Sequence, residues 1–288
     1  MNPEQNSISI IIPSIYPKKW PRIIDNYQST TVDVEIIFVG PSECNFLLPK
    51  NVKFIKTNFK VIQCLEIGLK FSSNYYRFQS ADDIVIRGSP DPLGDMVRAA
   101  SSFPEHLVCL KIAMNGRLLS RNAINLMSGH PKTIIPVVGV LSKEMIIKVG
   151  GYNKNYVASF ADIDLYLRLK NAGYRYKWLD IYMDEDRTVD ENLSLLSFRY
   201  LGHDIKYLKY NWVEYNTQTK SYFLRNKSKE NFEPFNQKTL LNEEQGTGKA
   251  KIFKSKYFIL FMKNRFFRYA ILVVYKFYRK FILRAKFY

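Results

Sequence analysis

Cysteine is scarce: three in 288 residues, Cys44, Cys64 and Cys109, far apart in the chain. An odd number without paired spacing argues against a disulfide framework and against a zinc cluster, and suits a reducing compartment. Histidine is equally rare, with three in all. Long apolar runs are missing. No stretch of about 18 uncharged apolar residues occurs, so a spanning helix is not expected. Residues 1–7 are polar, with neither a basic start nor an apolar run behind it, so no secretory signal is expected. Glycine is absent from Pro13 to Lys19, behind the first candidate strand. Despite Lys18-Lys19, that argues against the glycine-rich phosphate loop a nucleotidyltransferase would carry there. Acid is absent from the end of the chain: residues 249–288 hold twelve Lys and Arg and no Asp or Glu.

What is present is uneven in the same way. The chain has 43 basic and 26 acidic residues, a net charge of +17, but residues 1–248 account for only +5 of it. Charge therefore speaks about the partner of the tail. From Arg265 onward, Arg265, Arg268, Lys276, Arg279 and Lys286 recur at three- and four-residue steps, opposite a face of Phe266, Phe267, Ile271, Val274, Phe277 and Phe281. That pattern predicts a basic amphipathic helix lying on an anionic membrane surface. Packing of its apolar face on protein is the alternative. Nucleic acid is not expected, because the face opposite the cations is so strongly apolar.

Hydrophobic residues make up 47% of the chain, enough for a substantial core. Short apolar runs at 9–12, 34–39, 52–55, 75–78, 107–113 and 174–179 read as strands. Helices are predicted at 21–27, with Pro21 in the first turn, and at 61–71, 144–149 and 162–172, the last ended by Gly173. Residues 84–93, with Gly88, Pro90 and Pro92, read as a loop, and 242–248 as a linker. Strands alternating with helices predict an α/β fold, a mostly parallel central sheet flanked by helices. Ligands bind such sheets beyond the carboxyl ends of the strands, where Pro13-Ser14, Gly40-Pro41 and Asp82-Asp83 would stand.

Two segments carry candidate chemistry. One is Phe78-Gln79-Ser80-Ala81-Asp82-Asp83, at the end of a strand. The other begins with Gly150-Gly151-Tyr152, continues as Phe160-Ala161-Asp162-Ile163-Asp164-Leu165-Tyr166-Leu167-Arg168, and ends with Ala172-Gly173-Tyr174. The spacing from Asp164 to Arg168 predicts an ion pair one helical turn apart. Read without further context, Asp82-Asp83 would cap a turn, Asp162 would cap a helix, and His203 would be a surface or capping residue.

Taken together, in order and spacing, these segments resemble the inverting glycosyltransferases of the GT-A fold, family 2, the type found in bacterial polysaccharide synthesis. The resemblance covers roughly residues 7–179. It implies a GT-A domain over 1–241, followed by the 242–248 linker and the 249–288 tail. It implies Asp162 as the general base that takes the proton of an attacking hydroxyl. It also implies nucleotide-sugar contacts at Pro13, Ser14, Ser42, Ser80 and Asp82, and a divalent metal, Mn2+ or Mg2+, on Asp82 with His203 as a further ligand. Asp164 and Arg168 would support the acceptor side or the helix. The expected donor is a nucleotide-diphosphate sugar of hexosyl or N-acetylhexosaminyl type, and the expected acceptor a hydroxyl of a glycan, lipid-linked by expectation. The expected location is the cytoplasmic face of the cell membrane, with oligomeric state left open.

The chain departs from the family pattern at three acidic positions. Gly40 stands where the second strand normally ends in an Asp that binds the base, Ser80 replaces the first Asp of the metal motif, and Ala161 replaces the Glu before the base. These departures keep a second reading in play, a catalytically inactive relative that binds a glycan or a partner transferase at the membrane.

Overall fold

The computed structural model describes residues 6–118, 135–185, 195–219 and 221–244. The basic tail, residues 245–248 of the expected linker, and most of the 114–134 segment lie outside them. The chain begins with β1 (Ser7–Pro13), a single 3-10 turn at residues 17–19, α1 (Trp20–Gln28), β2 (Asp33–Gly40), β3 (Val52–Lys56), α2 (Val61–Phe71) and β4 (Tyr76–Gln79). It continues through β5 (Ile84–Arg87), α3 (Pro92–Ser102), β6 (His106–Met114), β7 (Arg117–Leu118), β8 (Gly139–Ser142) and α4 (Lys143–Val149). The last elements are α5 (Ala161–Asn171), β9 (Arg175–Glu185), α6 (Leu195–Trp212) and the hairpin β10 (Val213–Asn216) and β11 (Ser221–Leu224).

The main sheet runs β3-β2-β1-β4-β8-β6-β9-β5, with β7 added on β6. β3, β2, β1 and β4 are mutually parallel. β8 is inserted antiparallel to both β4 and β6, β9 runs parallel to β6, and β5 closes the edge antiparallel to β9. Six of the eight strands on that path therefore point the same way. The expected α/β class, with a mostly parallel sheet between helices, is what forms.

The sheet is central because its strands are apolar on both faces. In β1, Ile8, Ile10 and Ile12 enter one core with Trp20, Ile23, Met96 and Val97 from α1 and α3. Ile11 enters the other, with residues of α2, α4, α5 and α6. The indole of Trp20 stacks on Phe38 with ring centroids 4.1 Å apart.

The 84–93 segment is not a plain loop. Its first four residues form β5, and Asp91 caps α3 by accepting a hydrogen bond from Gly94 N at 3.0 Å. Pro92 then occupies the first turn, where its missing N–H has no partner to lose. The glycine and prolines hid a strand too short to show alternation. The strand expected at 174–179 is also longer, reaching Glu185 and pairing with β5 and β6. Residues 242–244 are held rather than free: Gln63 Nε2 donates to the carbonyls of Leu240 and Glu243 at 2.9 and 2.8 Å, and Lys60 pairs with Glu244.

Candidate functional site

The carboxyl ends of β1, β2 and β4 meet as expected, and two of the residues assigned there, Ser14 and Asp82, are already engaged with each other. Asp82 is buried, and its Oδ2 accepts three hydrogen bonds: from Ser14 Oγ at 2.8 Å and from Ile15 N and Tyr16 N at 3.0 Å each. Ser14 Oγ in turn accepts from Trp20 Nε1 at 2.7 Å. Asp82 thus ties down the turn that leaves β1 after Pro13. Ser80 is buried, with its hydroxyl 2.6 Å from that of Tyr27. Asp83 beside it is driven up to about 6, first by burial and then by the charges of Glu185 and Asp82, with Lys19 opposing.

Gly40 has a steric reason. A Cβ there would lie 1.8 Å from the carbonyl oxygen of Ser14, because the chain leaving β1 crosses the end of β2, with Ser14 N donating to Val39 O at 2.9 Å. Ser42 is half-buried in the loop beyond it.

The Gly-Gly-Tyr turn is locked from three sides. Gly150 has φ +76°, the left-handed region open to glycine. Tyr152 N donates to Oε2 of Glu66 on α2 at 2.8 Å, and Tyr152 Oη donates to Gln79 Oε1 at the end of β4 at 2.7 Å. Arg168 reaches back from α5 to the carbonyls of Val149 and Gly151. The predicted pair with Asp164 forms at 2.9 Å, and Trp212 Nε1 donates to the same carboxylate at 2.8 Å. Asp164 and Arg168 therefore brace the helix against the turn and α6. Burial pushes the Glu66 carboxyl up, against hydrogen bonds from Tyr152 and Gln237 and the charge of Arg168.

Asp162 is placed differently. It lies in the first turn of α5 but does not cap it; the cap position is Phe160, in the left-handed region at φ +66°. Its Oδ1 accepts from Ile163 N at 2.8 Å. The side chain is half-buried and faces a cleft of about 330 Å³ lined also by Val61, Ile62, Leu65, Gln79, Ser159 and Phe160. Burial raises its carboxyl to about 6, with the Ile163 N–H and its own backbone N–H pulling the other way. A bulky residue with positive φ is uncommon and strained, and here it sits two positions before the half-buried Asp162 carboxylate.

His203 is directed elsewhere. Its Nδ1 lies 2.8 Å from Oδ1 of Asp204, and its ring stacks on Tyr207. Among the described residues, no group of three or more His, Cys, Asp or Glu side chains is arranged to hold a metal ion. Of the two residues expected to hold Mn2+ or Mg2+, Asp82 spends Oδ2 on the 14–16 turn and His203 spends Nδ1 on Asp204.

The structure also brings in residues that the sequence reading passed over. Gln79 lies between Phe78 and Ser80 in the strand-end segment and Asp204 directly follows His203, so both were adjacent to a signal. Glu66 is a buried acid on an otherwise apolar helix face, next to the equally buried Gln63 one turn earlier. That pairing was the available clue.

No family model and no curated protein matches the chain. Solved structures of S. aureus TarS are similar in fold. TarS 1-349 in complex with UDP-GlcNAc has 13% identity and a TM-score of 0.49 over 66% of this chain and 61% of that one. TarS 1-349 in complex with UDP has 13% identity and a TM-score of 0.48 over 62% and 60%. A longer TarS structure has 12% identity and a TM-score of 0.46 over 61% and 36%. This chain thus spans about 60% of the 1-349 structures and 36% of the longer one.

Proposed function

We propose that the chain is a GT-A-type inverting glycosyltransferase with Asp162 as its general base. One observation carries the reading: the Asp162 carboxyl faces a cleft at the carboxyl end of β4, and burial holds it near 6. A base works best when its pKa lies near the operating pH, since it is then mostly ionised yet still basic enough to accept a proton. A solvent-exposed Asp would be too weak.

In the proposed step the acceptor hydroxyl oxygen attacks the anomeric carbon of a nucleotide-diphosphate sugar. The new O–C bond forms as the bond from carbon to phosphate oxygen breaks. The hydroxyl proton passes to Asp162, and the nucleoside diphosphate leaves with the bonding electrons, inverting the carbon. Gln79, at the end of β4 and in the same cleft, is placed to contact a sugar hydroxyl. The acceptor in this reading is a glycan, lipid-linked. The twelve cations without an acid in residues 249–288 support its capture at an anionic inner membrane surface.

The test is release of nucleoside diphosphate from a panel of nucleotide sugars, with acceptor and with and without Mn2+. Wild type is expected to turn over at least one donor, and Asp162→Asn to lose the activity by about 100-fold or more. Two observations favour the inactive relative instead: the space for a carboxylate at position 40 is filled by the Ser14 carbonyl, and the Ser80 hydroxyl is bound to Tyr27. Glycan binding without turnover of any donor would decide for that reading. Loss of pelleting with anionic vesicles on deletion of 249–288 tests the membrane part, and unchanged pelleting rejects it.

A further inference from the structure

We propose that Asp204 of α6 is a positioning residue for Asp162, acting through the loop 157–160; the activity arm of the argument rests on the transferase reading above. Asp204 has no exposed surface. Its Oδ2 accepts from Ala158 N and Ser159 N at 2.9 Å each, and its Oδ1 from Val157 N at 3.2 Å. Three consecutive backbone N–H groups thus converge on one carboxylate, the arrangement that makes a tight anion nest, here filled by the protein itself. The next residue is Phe160 with its left-handed backbone, and Asp162 follows in the first turn of α5. Ala158, Ser159, Phe160 and Asp162 line the same cleft. The loop that Asp204 grips is therefore the wall that sets where the base stands.

α6 grips this region at two further heights. Asn155 Nδ2 donates to Tyr207 Oη at 3.0 Å, and Trp212 holds Asp164. Those contacts fix the ends of the segment. The N–H groups of the three residues next to the strained one all go to Asp204, with the Val157 carbonyl accepting from Ile62 N at 3.4 Å on the other side. Asparagine cannot replace Asp204, because its amide nitrogen would face N–H donors.

The test uses the full chain with Asp204→Asn and the gentler Asp204→Glu, which keeps the charge and displaces it by one methylene. The readouts are melting temperature, titration of the Asp162 carboxyl by carbon-detected NMR, and donor turnover. In a folded variant the Asp162 midpoint is expected to fall from near 6 by about one unit, because the loosened wall admits water. Turnover is expected to drop about tenfold or more in kcat, with donor KM within about threefold. A folded variant that keeps both the Asp162 midpoint and kcat overturns the proposal.

Wild type gives an arm that needs no variant. The amides of Val157, Ala158 and Ser159 are expected to exchange with solvent about 100-fold slower than a free loop, and fast exchange of all three also overturns it. If the midpoint shifts in Asp204→Asn while wild type turns over no nucleotide sugar, the positioning role stands and the transferase reading falls.

Discussion

The Glu66 carboxylate occupies the space that any side chain at Gly151 would need: a Cβ there would lie 2.2 Å from Oε2. The carboxylate cannot swing away freely, because Tyr152 N and Gln237 Nε2 hold its two oxygens at 2.8 and 2.9 Å. Gly151→Ala is therefore expected to destabilise the protein by about 1–3 kcal/mol, the range for overpacking a filled interior. Urea unfolding at neutral pH measures it. A neutral substitution would show that Glu66 has room to move.

Asp162 should make the protein less stable as pH rises through weakly acid conditions. Its carboxyl titrates near 6 in the fold against an ordinary 3.8, so the native chain holds the proton more tightly than the unfolded one. The contribution is fully present below about pH 4 and is lost as pH rises to about 6, to the extent of roughly 3 kcal/mol. Asp83, also held near 6, acts in the same window. The comparison with Asp162→Asn isolates one group: the variant is expected to be more stable than wild type at pH 7.5 and equal to it at pH 4. Equal stability at both values would mean that Asp162 is not desolvated.

Arg168 holds three acceptors at once, Asp164 and the carbonyls of Val149 and Gly151, and lies against the ring of Phe232 with its guanidinium carbon 4.2 Å from the centroid. Arg168→Ala leaves Asp164 buried without its cation, which typically costs about 3–5 kcal/mol. Arg168→Lys is expected to recover less than half of that, since an ammonium cannot span the planar set of acceptors. Thermal unfolding of both variants checks the order, and a fully stable lysine variant would contradict it.

Placing an acid at position 40 should fail. The carbonyl of Ser14 is backbone and part of the β1–β2 crossing, so it cannot yield as a flexible side chain would. Gly40→Asp is expected to lower stability by more than about 3 kcal/mol or to prevent folding, read by soluble yield and denaturation. A well-folded Gly40→Asp that binds nucleotide more tightly would show that the loop after β1 moves to make room.

The strand and helix order of the first half of the fold was legible because buried parallel strands write themselves as apolar runs, and α2 as apolar residues at helical spacing. β5 was not, because four residues paired only at a sheet edge carry no long pattern. The Asp164–Arg168 pair was legible because both residues lie on one helix, a turn apart. The Asp82–Ser14 tie was not, since 68 positions separate its partners.

The order of elements and the charge imbalance were thus set by local spacing and composition alone. Which acid faces the cleft was not. Asp162 and Asp164 lie two positions apart, about 200° around the same helix, and nothing local ranks one above the other. Trp212 and Arg168 claim Asp164 from the core side, while the turn held by Asp204 opens a cleft in front of Asp162. Only the packing of distant segments, α6 against the entrance of α5, made one carboxylate a brace and left the other facing the cleft.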